Sequence, residues 1–516
     1  MLSMIKSMIL LSLFFLTLQD SFSDPSQYPT RKSIKGLQPD NQDLGQIIGN
    51  AVHGVAINFV WEQWQPTLTT TCSSEQVSYK GYCFNVINSY IRLIKIYTYN
   101  KVVVTGVLYG VPSWARRSCG SPVNDPMFCA PTDDGANYYG LFTGFIAWYF
   151  NGQNDHGRVA DFVIHNEVNA VEWFNYGCSA GTCNLNTWTT IYAQSWNSAY
   201  DHIKAEQPAA KVLISFQHNF FSILDYLANN PSVIYSVESF LKSLVPKLKN
   251  REWRLAYHSY PEDLLHPVMS ANDYPYITFG NIGVLSGWLH ANYPDKPYTW
   301  EIQLTENGLN GVGSTMQAEQ NEKLCEAFKN ILGTPGIESF IYHRLVDNPD
   351  ETRNGLGLGL WDANKNMKPA WTTFALANRE NVGEGYPSCG FEYLPYVKMS
   401  RAYNKEYHWV STRTLPPGFK EESAFKILRD EIDGTTLVYE CRVGGPYGSH
   451  TLISKDYNCE GGFNMGPMGY IYNKKVDGTV PIYRCYMEGN GDHFISQYSD
   501  CEGFVQESLV RYAFNA

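Results

Sequence analysis

The sequence contains no hydrophobic run long enough to cross a membrane. Its longest apolar stretch, Met8–Leu18, has 11 residues, roughly half of the 20 a spanning helix needs. There is no Cys-x-x-Cys pair, which removes the commonest zinc-binding spacing. No Asn-x-Ser/Thr sequon occurs with x other than Pro. Basic residues are in deficit, 39 Lys and Arg against 50 Asp and Glu, for a net charge of −11. That balance argues against nucleic acid and anionic membrane surfaces as partners. Charged residues are only 17% of the chain and hydrophobic ones 44%, which excludes a disordered polypeptide and predicts a large core.

What is present begins with a leader. Lys6, the Met8–Leu18 run and Ser21-Phe22-Ser23 form the basic end, apolar centre and small-x-small cleavage site of a secretory signal over residues 1–23. The segment carries one Lys and one Asp, so its removal leaves the charge at −11. The mature chain is expected to be soluble, extracellular and monomeric. Twelve cysteines in an exported chain imply disulfides. Close spacing pairs Cys72 with Cys83, Cys119 with Cys129, Cys178 with Cys183, Cys441 with Cys459 and Cys485 with Cys501. Cys325 and Cys389 remain, either bonded to each other or reduced.

Between residues 24 and 377, short apolar runs alternate with longer amphipathic segments such as Trp188–Glu206 and Met316–Leu332. The runs lie at Ser33–Leu37, Gly54–Phe59, Val102–Tyr109, Val159–Ile164, Val212–Phe216, Arg254–Tyr257, Tyr298–Thr305 and Ile337–Tyr342. Eight such units predict an α/β fold, a (β/α)8 TIM barrel. Residues 378–395, rich in Gly and Pro, read as a linker. Residues 396–516 hold an internal repeat. His408, His450 and His493 are 42 and 43 residues apart. Arg401, Arg442 and Arg484 precede them, and Gly418-Phe419, Gly462-Phe463 and Gly503-Phe504 follow. One unit used three times, rich in Tyr, Val and Thr, predicts an all-β pseudo-threefold domain. It resembles the His- and Gly-Phe/Trp-containing triple-repeat domain appended to many secreted enzymes, whose function is poorly defined.

Two stretches carry the chemistry. Asp161-Phe-Val-Ile-His-Asn-Glu-Val-Asn169 and Tyr298-Thr-Trp-Glu-Ile-Gln-Leu-Thr-Glu-Asn-Gly308 each run from apolar residues into a terminal carboxylate, Glu167 and Glu306. By strand count these end the fourth and seventh strands, on the barrel face where ligands and catalytic groups collect. Two carboxylates on strand ends suit glycoside hydrolysis: in the retaining form one protonates the leaving oxygen and the other attacks the sugar. The first should have a raised pKa and the second stay ionised. Glu301, read as mid-strand, is a rival nucleophile. His165-x-Glu167 echoes the zinc deaminase signature, but the required Pro-Cys-x-x-Cys is missing.

On these residues the chain resembles the clan of glycoside hydrolases with catalytic glutamates on strands four and seven. It is closest to an uncharacterised branch in which Asn-Glu-Val replaces Asn-Glu-Pro. The resemblance implies Glu167 as acid/base, Glu306 as nucleophile and no cofactor or metal, with a β-linked polysaccharide or oligosaccharide as substrate. It implies that Asn166 bonds a sugar hydroxyl and that His258 and Tyr260 bond the nucleophile or the substrate. Trp361 is the expected sugar platform. His343 and Arg344 are expected at the mouth, with Arg344 alternatively paired to Asp347 or Asp350. Trp61, Trp114 and Trp173 follow strands two, three and four as further candidate platforms. The strand-two Arg of many clan members is missing; Asn58 and Trp61 stand near its place. That departure favours an alternative, a carbohydrate-binding or adhesion protein on a barrel scaffold, which a buried ion pair at Glu167 would support.

Overall fold

The structure, a computed structural model, describes residues 21–39, 44–120, 125–222, 233–377 and 395–516. Most of the leader and of the linker therefore lies outside the described residues. Among the described residues ten strands precede the linker: β1 (Lys35–Leu37), β2 (Gly54–Val60), β3 (Gln76–Tyr79), β4 (Tyr82–Asn85), β5 (Val103–Tyr109), β6 (Val159–Ile164), β7 (Lys211–Phe216), β8 (Arg254–Tyr257), β9 (Ile302–Asn307) and β10 (Ile337–Tyr342). Eight of them close a parallel barrel in the order β1-β10-β9-β8-β7-β6-β5-β2, and β3 and β4 form a separate hairpin. All eight expected strands are present. β6 and β7 are buried at every position, as strands covered on both faces must be. The seventh strand begins later than expected. Pro297–Trp300 forms a 3-10 turn, and Glu301 sits before β9, where it pairs with Lys211 (3.0 Å) and Arg254 (2.6 Å). These are the first residues of β7 and β8, so Glu301 lies at the N-terminal end of the barrel.

Long helices follow β5, β6, β8 and β9: α1 (Asp133–Tyr149), α2 (Leu185–Glu206), α3 (Gly283–Asn292) and α4 (Gly313–Leu332). Thr132 caps α1 by accepting from the Gly135 N–H, and Asn184 caps α2 by accepting from the Thr187 N–H. Each side chain satisfies a donor the helix start leaves open. Trp61, Trp64, Trp188, Trp196 and Trp253 are fully buried, so much of the aromatic content is core. The barrel interior also holds a charge. Asp161, fully buried in β6, is ion-paired to Arg31 and accepts from Tyr28 Oη (2.9 Å) and Thr105 Oγ1 (3.3 Å). Residues at the expected cleavage point pack here too: Phe22 is buried with Val103 and Ala160.

The five expected disulfides are all formed. Cys325 is also disulfide-bonded, and Cys389 lies outside the described residues.

The C-terminal region has nine antiparallel strands in three equivalent sets. They are β11 (Tyr396–Tyr403), β12 (His408–Ser411) and β13 (Lys420–Leu428); β14 (Thr435–Val443), β15 (His450–Ser454) and β16 (Phe463–Tyr472); β17 (Thr479–Met487), β18 (Asp492–Ser496) and β19 (Val505–Asn515). In each set the first strand pairs with both others. The third strands β13, β16 and β19 bridge one another pairwise, which closes the pseudo-threefold.

This module docks on α3. A Cβ on Gly466 would lie 2.2 Å from Gly283 O, and one on Gly287 2.3 Å from Asn464 Oδ1. Around that contact His290 Nδ1 bonds Tyr439 Oη (2.8 Å), and the buried Arg413–Glu440 pair (2.6 Å) sits beside Gly333. Tyr447 Oη donates to Tyr274 O (2.6 Å), in the loop after β8.

Candidate active site

Glu167 stands three residues beyond β6, and the chain turns sharply to place it. His165 and Glu167 have φ of +58° and +36°, left-handed values that non-glycine residues adopt at a cost and that cluster at functional sites. The neighbouring strands hold this turn. The His165 N–H donates to Leu108 O of β5 (2.9 Å). The Glu167 N–H donates to Ser215 Oγ (3.0 Å) and the Val168 N–H to Ser215 O (3.1 Å), both in β7. The His165 ring is buried and stacks on Tyr139 at 4.3 Å, and burial pushes its pKa down to about 3.

Glu306 is the fifth residue of β9. The next residue, Asn307, accepts from both the N–H and Oγ of Ser259 (2.8 Å each) and so ties β9 to the end of β8. One residue beyond Ser259, the Tyr260 hydroxyl donates to Glu306 Oε1 (3.1 Å).

His258 joins the two sides. Its Nδ1 lies 2.7 Å from Glu167 Oε1 and its Nε2 3.4 Å from Ser215 Oγ. Ligand atoms of Glu167, His258 and Glu306 all fall within 4.8 Å of one another. Such a set could also hold a metal ion, but His258 Nδ1 is already bonded to the glutamate.

The electrostatics separate the carboxyls. Burial raises the Glu167 pKa, and the hydrogen bond and charge of His258 only partly reverse it. Burial acts on Glu306 in the same sense, yet His258, His343, the Tyr260 hydroxyl and Arg344 together pull it below the ordinary 4.5. Burial would lower His258, but Glu306 and Glu167 lift it above 6.5. One carboxyl therefore tends to hold a proton while its neighbour tends to be ionised, as acid–base chemistry requires.

The other expected residues divide. Asn166 is buried directly before Glu167. His343 hydrogen bonds Gln38, and Arg344 faces Glu351 (3.6 Å) in place of Asp347 or Asp350. Asp347 is taken by Lys368 (2.8 Å). Asn58 lies half-buried in β2, its carbonyl accepting from Tyr90 Oη (2.8 Å). Trp61 is not a platform: it is fully buried among Trp114, Tyr139 and Phe142, with its N–H on Gln65. Trp361 is 6% exposed and packs edge-on against Trp371, which leaves little ring face for a sugar. Trp114 and Trp173 are half-buried. Tyr260 bonds Glu306 as expected, whereas His258 bonds the other glutamate. Sequence reasoning missed Ser215, whose signal was a hydroxyl in the apolar run Val212–Phe216, and Glu172, whose charge raises Glu167.

In sequence the chain matches none of the curated proteins. Among solved structures it is similar to exo-β-1,4-mannosidase Op5Man5 from Opitutaceae bacterium strain TAV5 (13% identity, TM-score 0.42), covering 70% of this chain and 61% of that one. It is similar also to a family 39 glycoside hydrolase from Bacteroides cellulosilyticus WH2 (11%, 0.43; 88% and 82% covered). A family 39 enzyme from Xanthomonas axonopodis pv. citri is a third (12%, 0.45; 68% and 67%). A family model, described as a family of unknown function, DUF5722, matches residues 27–386. That match takes in every strand of the barrel and both glutamates, and the chain belongs to the DUF5722 family.

Proposed function

We propose that this chain is a secreted retaining glycoside hydrolase acting on β-linked polysaccharide or oligosaccharide. The observation that carries the reading is the approach of Glu167 and Glu306 to within 4.8 Å across the barrel mouth, compatible with the roughly 5–5.5 Å carboxyl separation of retaining enzymes. Glu306 attacks the anomeric carbon. As the glycosidic C–O bond breaks, its electron pair stays on the leaving oxygen, which takes the proton of Glu167. Water then attacks the glycosyl–enzyme ester and gives a proton back to Glu167, releasing the sugar and freeing Glu306. Tyr260 orients Glu306. His258 and Ser215 hold Glu167. Asn166, His343 and Arg344 bond sugar hydroxyls at the rim. The disulfides and the leader support secretion.

The test is digestion of a polysaccharide panel by wild type beside Glu306→Ala. The variant is expected to keep binding and lose turnover. Equal product release by the two proteins would remove Glu306 as the nucleophile.

One observation favours a second reading, a carbohydrate-binding protein without turnover. The 2.7 Å contact of Glu167 with buried His258 is the kind of pairing that would lock Glu167 as an anion. Such a protein would bind a glycan through the same mouth and release no product from any substrate.

A further inference from the structure

The module has three places where one repeat meets the next. At the first, Arg401 of β11 donates from Nη1 to Glu502 Oε1 (2.7 Å) and to Ile495 O (3.1 Å), and from Nε to Glu422 Oε2 (3.0 Å). Ser496 Oγ donates to Glu502 (2.7 Å). At the second, Arg484 of β17 does the same with the same atoms: Glu460 Oε1 (2.7 Å), Ile453 O (3.2 Å) and Glu507 Oε2 (2.9 Å), with Ser454 Oγ on Glu460 (2.6 Å). At the third junction the strand position of Arg401 and Arg484 is held by Glu440, which accepts from Arg413 Nη2 and Ser411 Oγ (2.6 Å each), so the charges are exchanged and neither carboxylate of the other two sets is present. In the aligned repeats Pro417 and Gly466 stand in their places. Arg442, two residues beyond Glu440, donates to Gly448 O and Pro446 O and lies over Trp409 at 5.0 Å. Gly466 is the residue laid against Gly283 of the barrel. The junction laid against the barrel thus keeps a buried ion pair of reversed order, and the Glu-Arg-Glu set is present at the other two, solvent-facing junctions.

Both sets leave the same acceptor. Glu422 and Glu507 meet their arginines through Oε2, and Oε1 of each has no hydrogen bond among the described residues. The two side chains are 38% and 27% exposed. Two carboxylates face one guanidinium and one imidazole, His408 Nε2 lying 3.3 Å from Glu422 Oε2 and His493 Nε2 3.7 Å from Glu507 Oε2, and the open carboxylate oxygens call for a ligand that brings hydrogen-bond donors. The first junction opens into a cavity of about 310 Å³ reached by Gln497 and Tyr498, at the small end of ligand pockets. Tyr498 is 57% exposed and offers a ring face beside the polar groups. At the second junction Asp456 takes that place.

We propose that the Arg401 and Arg484 junctions are a pair of binding sites for a neutral, polyhydroxylated glycan, the first the stronger because it has Tyr498. Hydroxyls donate to Glu422 and Glu507 Oε1, and a polymer reaching both sites gains by effective concentration. The proposal stands apart from catalysis at the barrel mouth.

The test is retardation of the full-length protein in native gels cast with soluble β-glucan, β-mannan or xylan, with polygalacturonate as the anionic comparator. At least one neutral polymer should retard wild type. Glu422→Ala or Glu507→Ala should each weaken retardation, and the double variant by more than about tenfold, the scale on which linked sites lose avidity. Turnover of short soluble substrates should be unchanged. Tyr498→Ala, a change at a side chain 57% exposed, should leave the module folded and weaken the first site, and so tests the idea even if the double variant misfolds. Unchanged retardation in the double and Tyr498→Ala variants, retardation by polygalacturonate alone, or none by any neutral polymer would overturn it.

Discussion

At the scale of single residues, the site is two glutamates pushed in opposite directions by their surroundings. The pH dependence follows from those directions. In the proposed hydrolysis Glu306 is the ionised group and its pKa lies below 4.5, so the acid limb of kcat/KM should fall below that value. In the same proposal Glu167 is the protonated group and its pKa is raised, so the alkaline limb should lie above 4.5. His258 lowers both glutamates. His258→Gln, which keeps a polar contact and removes the charge, should shift both limbs to higher pH. Limbs that stay in place would show that His258 does not set these ionisations. His165 makes a stability prediction of its own. Its folded pKa, about 3, is depressed below the unfolded value near 6.5, so the unfolded chain takes up the proton first. Stability should be complete above pH 6.5 and fall as pH drops toward 3. The loss is on the order of a few kcal/mol, at about 1.4 kcal/mol per unit, and urea midpoints measured across that range would detect it. The residues are unevenly legible in the sequence. Glu167 and Glu306 stand out because an apolar run ends abruptly in each. The partner of His258 does not, since which of two carboxylates an imidazole meets depends on the depth of its strand in the barrel. Trp61 misleads because a tryptophan after a strand has the same signature whether it faces solvent or folds back beneath α1.

At the scale of elements, Ser215 of β7 fixes the turn that carries Glu167 by accepting one N–H through Oγ and another through its carbonyl. Ser215→Ala leaves the Glu167 N–H without its partner and frees the turn. A displacement of about 1 Å can cost roughly 100-fold in rate. The expected result is a fall in kcat well beyond any change in KM, with the far-ultraviolet circular dichroism of wild type. A variant with unaltered kcat would show that the turn is held by other contacts. The eight barrel strands are readable because short apolar runs bounded by longer amphipathic segments match strands buried on both faces, and their length is too small for core helices. The onset of β9 is masked by the Pro297–Trp300 turn, whose Tyr and Trp imitate strand composition. The β3–β4 hairpin, which begins within the Cys72–Cys83 loop and ends at Asn85, escapes the sequence, because strands this short give almost no periodic signal.

At the scale of the whole molecule, the barrel and the module share a buried interface. Arg413 and Glu440 are 5% and 2% exposed and bond each other at 2.6 Å. Arg413→Ala strands Glu440 without its cation and should destabilise by about 3–5 kcal/mol, the usual result of breaking one side of a buried pair. Differential scanning calorimetry should show a lowered or split transition; an unchanged thermogram would show that this pair contributes little. Gly287→Ala tests the same surface by crowding. Its added methyl meets Asn464 at 2.3 Å and should cost about 1–3 kcal/mol. The division into barrel and repeats is legible from histidine, arginine and Gly-Phe spacing. Their union is not, because the sequence shows that Gly466 breaks the repeat but not that it does so to fit a helix.

That glycine seam has a mechanical corollary. Main chain rests on main chain where Gly466 meets Gly283, and side-chain contacts of His290 with Tyr439 and of Tyr447 with Tyr274 surround it, so a shift of the appendage against the barrel would break contacts on every side of the seam. A strand gripped at the Arg401 and Arg484 junctions would then enter the mouth at a set offset, like cloth fed past a fixed guide. Fragments should therefore gather at a few discrete lengths instead of grading into a continuous ladder.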